Sequence, residues 1–209
     1  MNTLARMRVG DVDDVVGVHL LSFEGFFLSF LGEQFLRLYY RSILDFNQLG
    51  IVARREGRVV GFVVGIDNSF GFYRQLIRRH LVEFALAAMP AVIRKPTIIG
   101  RLMRALFKRS RQEEDGVPTA TLTSLAVLPA AQRDGVGAQL VGQFLADIGG
   151  RGIRRVLLDT DSQDNQRVQR FYERQGFVIA RRYVTAEGRP MTEYRWEPQA
   201  QSSESEGDL

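Results

Sequence analysis

Two glycines directly before a predicted helix are the residues of this chain with the clearest chemical potential. An apolar strand runs through Pro129 to Gly135 and Gly137, and an amphipathic helix follows in the stretch LAVLPAAQRDGVGAQL, residues 125–140. The first N–H groups of a helix have no intrahelical acceptor, and the positive end of its dipole lies there. Glycine lets an anion approach that backbone without a Cβ in the way. The pattern therefore predicts a phosphate or pyrophosphate site.

The spacing of these glycines matches neither common nucleotide loop, because no Lys-Ser/Thr pair and no third glycine follow. The stretch instead resembles motif A of the GNAT N-acetyltransferase superfamily, in which an apolar strand and Val-x-Pro precede Gln/Arg-x-x-Gly-x-Gly/Ala. In that family the loop binds the pyrophosphate of acetyl-coenzyme A (acetyl-CoA). The resemblance implies this role for Gln132, Arg133, Asp134, Gly135, Val136, Gly137 and Ala138.

A second motif follows further along the chain, NQRVQRFYERQGF at residues 165–177. It looks like the family's Asn-x-x-Ala-x-x-apolar-Tyr-Glu-x-x-Gly-Phe, with Val168 in place of the alanine. The resemblance implies that Asn165 contacts the coenzyme and that Tyr172 faces its sulfur as the general acid. Residues at i, i+3 and i+7 share a helix face, so Asn165, Val168 and Tyr172 should point the same way. Two alternatives stay open: a core tyrosine beside Phe171, and a helix N-cap at Asn165 or Asp164.

The resemblance covers residues 119–197 closely and residues 3–66 more loosely. It implies that main-chain groups of strand 122–127, including Leu125, Ala126 and Val127, contact the pantetheine arm and polarise the thioester carbonyl. Because the chain has no cysteine, direct attack by the amine in a ternary complex is expected in place of an acyl-cysteine relay.

The general base is not evident from the sequence. Many members of the family carry an acid on the strand before the loop, but residues 119–128 contain none. The candidates elsewhere are Glu24, Asp67, Asp159 and Asp161, each of which would also suit a solvated or capping position. A water relay, or an amine already partly deprotonated in the cleft, is the alternative.

Composition limits the class of protein. The 209 residues, 45% of them hydrophobic, predict a single globular domain at residues 1–198, with an insertion at 67–118 and a disordered tail at 199–209. The resemblance implies that this domain is acetyltransferase-like. No cysteine and only two histidines exclude disulfides and thiolate ligands and argue against a histidine zinc site, so no metal is expected. The N-terminus lacks a signal-peptide pattern, and we expect a cytoplasmic protein.

Hydrophobic periodicity predicts an α+β fold, a mixed sheet of about seven strands with helices on both faces and a helical insertion. This order of elements agrees with the GNAT-like fold that the resemblance implies. The predicted strands are residues 3–9, 51–55, 58–66, 119–128, 154–161, 176–184 and 190–197. The predicted helices outside the insertion are one after Asp11 or Asp13, either of which could cap it, and residues 32–46, 136–149 and 164–175.

The insertion is strongly basic, with ten Lys or Arg residues against Glu83 alone between Arg74 and Arg111. We expect two helices, one at 97–107 and one whose apolar stripe is Phe72, Leu76, His80, Phe84 and Ala87. One interpretation is a hairpin that covers the acceptor cleft or a homodimer face. The other is an amphipathic segment, within residues 74–111, that contacts an anionic membrane or a phosphorylated acceptor. Nucleic-acid binding is not expected, since no known module is present.

The predicted function is acetyl transfer from acetyl-CoA to a primary amine of a small molecule. Sequences with such an insertion resemble acetyltransferases of bacterial surface-glycan assembly, which implies an amino sugar as one candidate acceptor. The alternatives are a protein or peptide N-acetyltransferase and a non-catalytic module that binds CoA or a membrane.

Overall fold

The computed structural model describes residues 2–47, 49–67, 69–96, 100 and 116–198. Its strands form one seven-stranded sheet in the order β1-β2-β3-β4-β5-β7-β6, which confirms the predicted α+β fold. The strands are β1 (Thr3–Arg6), β2 (Gly50–Arg55), β3 (Arg58–Ile66), β4 (Thr119–Val127), β5 (Arg155–Asp161), β6 (Val178–Val184) and β7 (Pro190–Trp196). The helices are α1 (Val12–Ser22), α2 (Phe27–Leu31), α3 (Glu33–Asn47), α4 (Ser69–Arg94), α5 (Val136–Gly149) and α6 (Gln166–Arg174). The helix predicted at 97–107 and the tail predicted at 199–209 lie outside the described residues, apart from residue 100.

The central strands part from each other. β4 and β5 run parallel and pair over three residue positions, from Thr119 opposite Arg155 to Thr121 opposite Leu157. Beyond them the β3–β4 register shifts, with Val64 opposite Ser124 and Gly65 opposite Leu122, so that Thr123 is an extra residue in β4. Such a bulge bends its strand. The two strands therefore diverge, and a cleft opens between their C-terminal halves.

Helices cover both faces of the sheet and bury separate clusters of apolar side chains. On one face α1 and α3 pack against β3, and α4 packs against α3, with Val15, Leu36 and Phe72 at most 1% exposed. On the other face α5 and α6 pack through residues such as Phe144 and Tyr172. The prediction of helices on both faces of the sheet is therefore confirmed, and each helix buries an apolar stripe.

The start of α1 differs from the prediction that Asp11 or Asp13 caps it. Asp11 occupies the N-cap position, but its side chain makes no cap hydrogen bond to α1. Its carboxylate instead accepts the backbone N–H of Arg8 at 2.8 Å and is paired with Arg54 of β2. Asp13 is paired with Arg37 of α3. Both carboxylates therefore hold α1 to neighbouring elements.

Helix α4 forms the described part of the insertion and is bent at His80, whose backbone is not helical (φ −129°, ψ 15°). Phe72, Leu76 and Phe84 of the predicted stripe are buried, and the rings of Phe84 and Phe35 lie 5.0 Å apart. The bend lies at His80, the third member of the predicted stripe, so the direction of the apolar face changes there. The outer face is also apolar, with Val82, Leu86, Met89 and Ile93 at least half exposed. None of the described helices is long and apolar enough to cross a membrane.

Gly65 is predicted to be essential for the packing of α5 on the sheet. A Cβ at this position would lie 2.5 Å from Cζ of Phe144 and 2.8 Å from the main-chain oxygen of Thr121, which cannot move without breaking the β3–β4 ladder. We expect Gly65→Ala to lower the free energy of unfolding in urea by about 1–3 kcal/mol. Gly142→Ala is the matched control, because Gly142 is exposed on α5 with nothing within 4 Å. It should be neutral or stabilising. Equal stability of the two variants would contradict this account of Gly65.

Candidate functional site

The divergence of β4 and β5 creates a cleft of about 480 Å³. One wall is β4 from Leu122 to Leu125, and the opposite wall is β5 from Leu158 to Asp161. The segment from α1 to α2 closes one side through aromatic residues such as Phe23. Helix α6 closes another through the three residues predicted to share its inner face, Asn165, Val168 and Tyr172. The structure therefore brings together residues from distant parts of the chain.

The open edge of β4 is the main polar surface of the cleft. Within the described residues, no strand pairs with the β5-facing edge of β4 beyond Thr121. Its N–H and C=O groups can thus bind an extended ligand as a further strand would. Leu125 lines the cleft, whereas Ala126 and Val127 lie further along β4 with their side chains packed against the two apolar clusters.

The glycine loop lies at the far end of β4. A 3-10 turn, Pro129–Asp134, leads to Gly135, which has the left-handed φ of 70° that favours glycine. Gln139 donates its N–H to the Gly135 carbonyl at 3.1 Å, so it makes the first hydrogen bond of α5. The amides of residues 136–138 precede that bond and have no acceptor within the helix. A Cβ on Gly135 would meet nothing within 4 Å, so the space before the helix is open.

Side chains of the loop stabilise its shape. Gln132 donates from Nε2 to the Val127 carbonyl at 3.1 Å, which fixes the turn on the end of β4. Asp134 is paired with Arg55 of β2, and this offsets its negative charge at a site suited to anions. Arg133 is exposed. Gly137 lies against α6, because a Cβ there would be 3.4 Å from two ring atoms of Phe171.

Asn165 is at the N-cap position of α6 but does not cap it with its side chain. Its Nδ2 instead donates to Oγ1 of Thr160 at 2.7 Å and to the carbonyl of Asp161 at 3.2 Å. The capping interpretation of its side chain is therefore wrong. These bonds hold the start of α6 against the end of β5, so that the inner face of α6 is directed toward the cleft.

Tyr172 is both packed in the core and part of the cleft wall. It is 7% exposed, and its ring lies 5.2 Å from that of Phe171 and 5.6 Å from that of Phe177. Burial raises the pKa of Tyr172 above its usual value of 10.0. The phenol is therefore protonated at neutral pH and is held rigidly as a hydrogen-bond donor.

The four candidate bases fall into two groups. Asp159 and Asp161 line the cleft, whereas Glu24 and Asp67 are not among the described residues that line it. Asp161 forms a bidentate ion pair with Arg189. Asp159 is exposed and accepts the Tyr183 hydroxyl at 2.9 Å. Of the two acids in the cleft, Asp161 is therefore bound by both oxygens to an arginine. Asp159 accepts a neutral hydroxyl and also interacts with the Arg181 guanidinium, whose pKa is raised by Glu193 and, to a lesser extent, by Asp159.

His19 is a cleft residue that the sequence did not identify as functional, since it reads as one member of an apolar stripe on α1. Its side chain is only 2% exposed, and its Nδ1 lies 2.6 Å from the Tyr40 hydroxyl. Its Nε2 is buried and has no hydrogen-bond partner among the described residues. Desolvation by burial lowers the pKa of His19 from 6.5 to about 4. The imidazole is therefore neutral at physiological pH.

A second cavity of about 270 Å³, here called the side cavity, adjoins the cleft. Phe27, Leu28, Leu122, Thr123 and Asp159 line both spaces. The remaining wall of the side cavity comes from α3, α4 and the start of the open part of β4, namely Phe35, Tyr39, Tyr73, Leu76 and Thr121. The insertion therefore contributes to the site through the first part of α4.

Comparison with known proteins relates the chain to acetyltransferases. The model of the Acetyltransferase (GNAT) family matches residues 18–177. No curated protein sequence matches the chain significantly.

Solved structures share the fold at low sequence identity. Ard1 from Thermoplasma volcanium is 18% identical with a TM-score of 0.61, over 94% of this chain and 97% of that one. The ribosomal-protein-S18-alanine N-acetyltransferase from Escherichia coli is 15% identical with a TM-score of 0.59, over 94% of both chains. The Drosophila melanogaster polyamine N-acetyltransferase, which forms N-acetylagmatine, is 15% identical with a TM-score of 0.61, over 95% of this chain and all of that one.

The burial of His19 predicts a pH-dependent stability. Because its folded-state pKa of about 4 lies below the usual 6.5, the unfolded chain takes up a proton that the folded protein does not. This uptake stabilises the unfolded state, so the free energy of unfolding falls as the pH is lowered from about 6.5 toward 4. Between pH 7 and pH 5 it should lower the free energy of unfolding by about 2 kcal/mol.

Urea unfolding at both pH values measures this loss. His19→Gln should remove it, whereas His80→Gln should not, because the side chain of His80 is partly exposed and bonded to Glu83. A loss of the same size in the wild type and His19→Gln would show that other groups cause it.

Proposed function

The chain belongs to the GNAT acetyltransferase family, and on that premise we propose that it is an N-acetyltransferase that moves an acetyl group from acetyl-CoA to a primary amine of a small molecule. One observation carries the proposal: a single cleft is lined by the open edge of β4, by Tyr172 and by Asp159. The open edge of β4 can polarise a carbonyl, and Tyr172 can donate a proton to a leaving thiolate. Asp159 can attract an ammonium.

The residues present at the glycine loop fit the pyrophosphate of acetyl-CoA. The amides of residues 136–138 have no helical acceptor, and the positive end of the α5 dipole adds to their attraction for an anion. The left-handed conformation of Gly135 leaves open space before the helix. The Arg55–Asp134 ion pair reduces the repulsion that Asp134 would otherwise exert on a phosphate.

The open edge of β4 fits the pantetheine arm of acetyl-CoA. A pantetheine arm contains amides that can pair with the open edge of β4 as a neighbouring strand would. In that position the thioester carbonyl lies close to main-chain N–H groups of the strand, which stabilise the negative charge that develops on its oxygen. Because this part of the site acts through main chain, substitutions of Leu125, Ala126 and Val127 should report on packing more than on catalysis.

The reaction joins the amine nitrogen to the acetyl carbon. The deprotonated amine attacks the thioester carbonyl, a C–N bond forms, and the C–S bond breaks to release the CoA thiolate. An ammonium substrate gives up two protons in the process, of which one ends on the CoA sulfur and the other passes to solvent. Binding both substrates in one cleft lowers the barrier, since their orientation is fixed before the reaction.

Tyr172 and Asp159 have complementary roles in this proposal. The phenol of Tyr172, kept protonated by burial, donates to the departing thiolate. The carboxylate of Asp159 holds the amine beside the cleft and accepts its proton directly or through water. Asp161 is less suited to that task, because its two oxygens already bind Arg189.

Gly135→Glu is predicted to weaken CoA binding. The variant places a carboxylate where the pyrophosphate should lie and forces a non-glycine residue into a left-handed conformation. We expect the Kd for CoA, measured by calorimetry, to rise about 100-fold or more. Gly142→Glu is the matched control on the exposed side of the same helix, and it should bind CoA as the wild type does. Unchanged affinity in Gly135→Glu would contradict the pyrophosphate assignment.

Thiol release from acetyl-CoA tests the proposed function. The wild type should release thiol only when an amine is present, across a panel of amino sugars, polyamines, amino acids and peptides. Tyr172→Phe should lower kcat about 100-fold while changing the affinity for acetyl-CoA little, because the phenol acts on the leaving thiolate.

Tyr194→Phe controls for the loss of a buried hydroxyl. Tyr194 packs 6.1 Å from the ring of Tyr172, and it is not among the residues that line the cleft. It should keep near wild-type kcat. Equal kcat in Tyr172→Phe and the wild type would remove Tyr172 from the mechanism, and preference for peptides over every small amine would replace the small-molecule acceptor with a polypeptide.

A further inference from the structure

The side cavity continues the cleft at the position where the acceptor amine must lie. Asp159 and Thr123 line both spaces, and they lie on the two strands that diverge. The carbonyl of the bound thioester is proposed to lie along β4 beyond Thr123. A ligand whose nitrogen is at Asp159 can therefore place its remaining atoms in the side cavity without blocking the donor.

The wall of the side cavity is mainly aromatic and aliphatic. Phe35, Tyr39 and Leu76 are each at most 6% exposed, and Phe27 and Tyr73 complete the wall. The Tyr39 hydroxyl is hydrogen-bonded to Thr123 and Tyr73. These hydroxyls therefore satisfy one another, and the rings form most of the surface that a ligand would meet.

The side cavity contains one charged group. Among the described residues that line it, Asp159 is the only one with a charged side chain. Asp159 accepts the Tyr183 hydroxyl and lies near Arg181, and an ammonium in the side cavity would be a further partner of its exposed carboxylate. A ligand with many hydroxyls would lose its hydration here with few partners to replace it, and this costs binding free energy.

The volume limits the size of the ligand. An apolar cavity of about 150 Å³ is enough to hold a benzene ring. The 270 Å³ of the side cavity therefore have room for a ring and a short linker, or for a branched aliphatic chain.

We propose that the acceptor is a primary amine on an apolar stem, with its ammonium at Asp159 and an aromatic or aliphatic group enclosed by Phe35, Tyr39, Tyr73 and Leu76. This inference rests on the proposed acetyltransferase function and specifies its substrate class. It also assigns a role to the insertion, since Tyr73 and Leu76 belong to α4 and determine the shape of the acceptor pocket.

The first test compares two primary amines of similar size, phenylethylamine and glucosamine, in the thiol-release assay with the wild-type chain. Rates are referred to the free-base concentration of each amine, because their pKa values differ. We expect kcat/KM to be about 100-fold higher for phenylethylamine. An equal or higher value for glucosamine would overturn the inference and leave the acetyltransferase function in place.

The second test reduces the volume of the side cavity by placing a larger side chain in its wall. Leu76→Phe should lower kcat/KM for phenylethylamine about 10-fold or more relative to kcat/KM for methylamine, which is too small to reach Leu76. Leu81→Phe is the matched control, because Leu81 is 55% exposed on the same helix and does not line the cavity. If the two variants have the same selectivity and both melt near the wild-type temperature, the pocket assignment is wrong.

A binding measurement separates the inference from the function on which it rests. Calorimetry of phenylethylamine with the CoA-bound protein should show binding that Leu76→Phe weakens. If no amine releases thiol but phenylethylamine still binds in this way, the acetyltransferase function fails and the pocket assignment is supported. If phenylethylamine does not bind while another amine is acetylated, the function stands and the inference is overturned.

Discussion

The site depends on the divergence of β4 and β5 after three residue pairs. Two parallel strands that stayed paired would satisfy each other's N–H and C=O groups and leave no space between them. Here the bulge at Thr123 bends β4. Side chains of α3, which packs on one face of the sheet, bind the bulged part of the strand. Tyr39 is hydrogen-bonded to Thr123, and the next residue, Tyr40, is hydrogen-bonded to Ser124. The open strand edge is therefore maintained by buried contacts between distant segments.

The same two tyrosines connect three elements across one face of the sheet. Tyr40 contacts β4 through Ser124 and α1 through His19, at 2.6 Å from Nδ1. Burial of a neutral imidazole without a partner for Nε2 costs free energy. The surrounding packing offsets that cost, and the result is a rigid connection between the acceptor side of the cleft and the strand proposed to polarise the thioester.

The parts of the molecule that could be predicted from the sequence are those encoded locally. Gly135 before an amphipathic helix, and the i, i+3, i+7 spacing of Asn165, Val168 and Tyr172, are short-range patterns, and both lie where the patterns place them. The side-chain partners of Asp11 and Asn165 were missed, because they depend on Arg54 and on Thr160, which only the fold brings near. His19 could not be distinguished from a core residue, since its stripe is otherwise apolar.

This division between local and long-range information has a consequence for specificity. The groups proposed to bind acetyl-CoA lie within β4, the glycine loop and α6, two short motifs that a family of enzymes with one donor can share. The walls that α2, α3 and α4 contribute to the side cavity carry no recognisable motif, and the fold alone brings these helices together. Among the described residues of the insertion, Tyr73 and Leu76 of α4 line the side cavity, so we expect substitutions there to change the acceptor more than the donor site. A motif can therefore identify the donor, whereas the acceptor has to be inferred from the residues that line the side cavity.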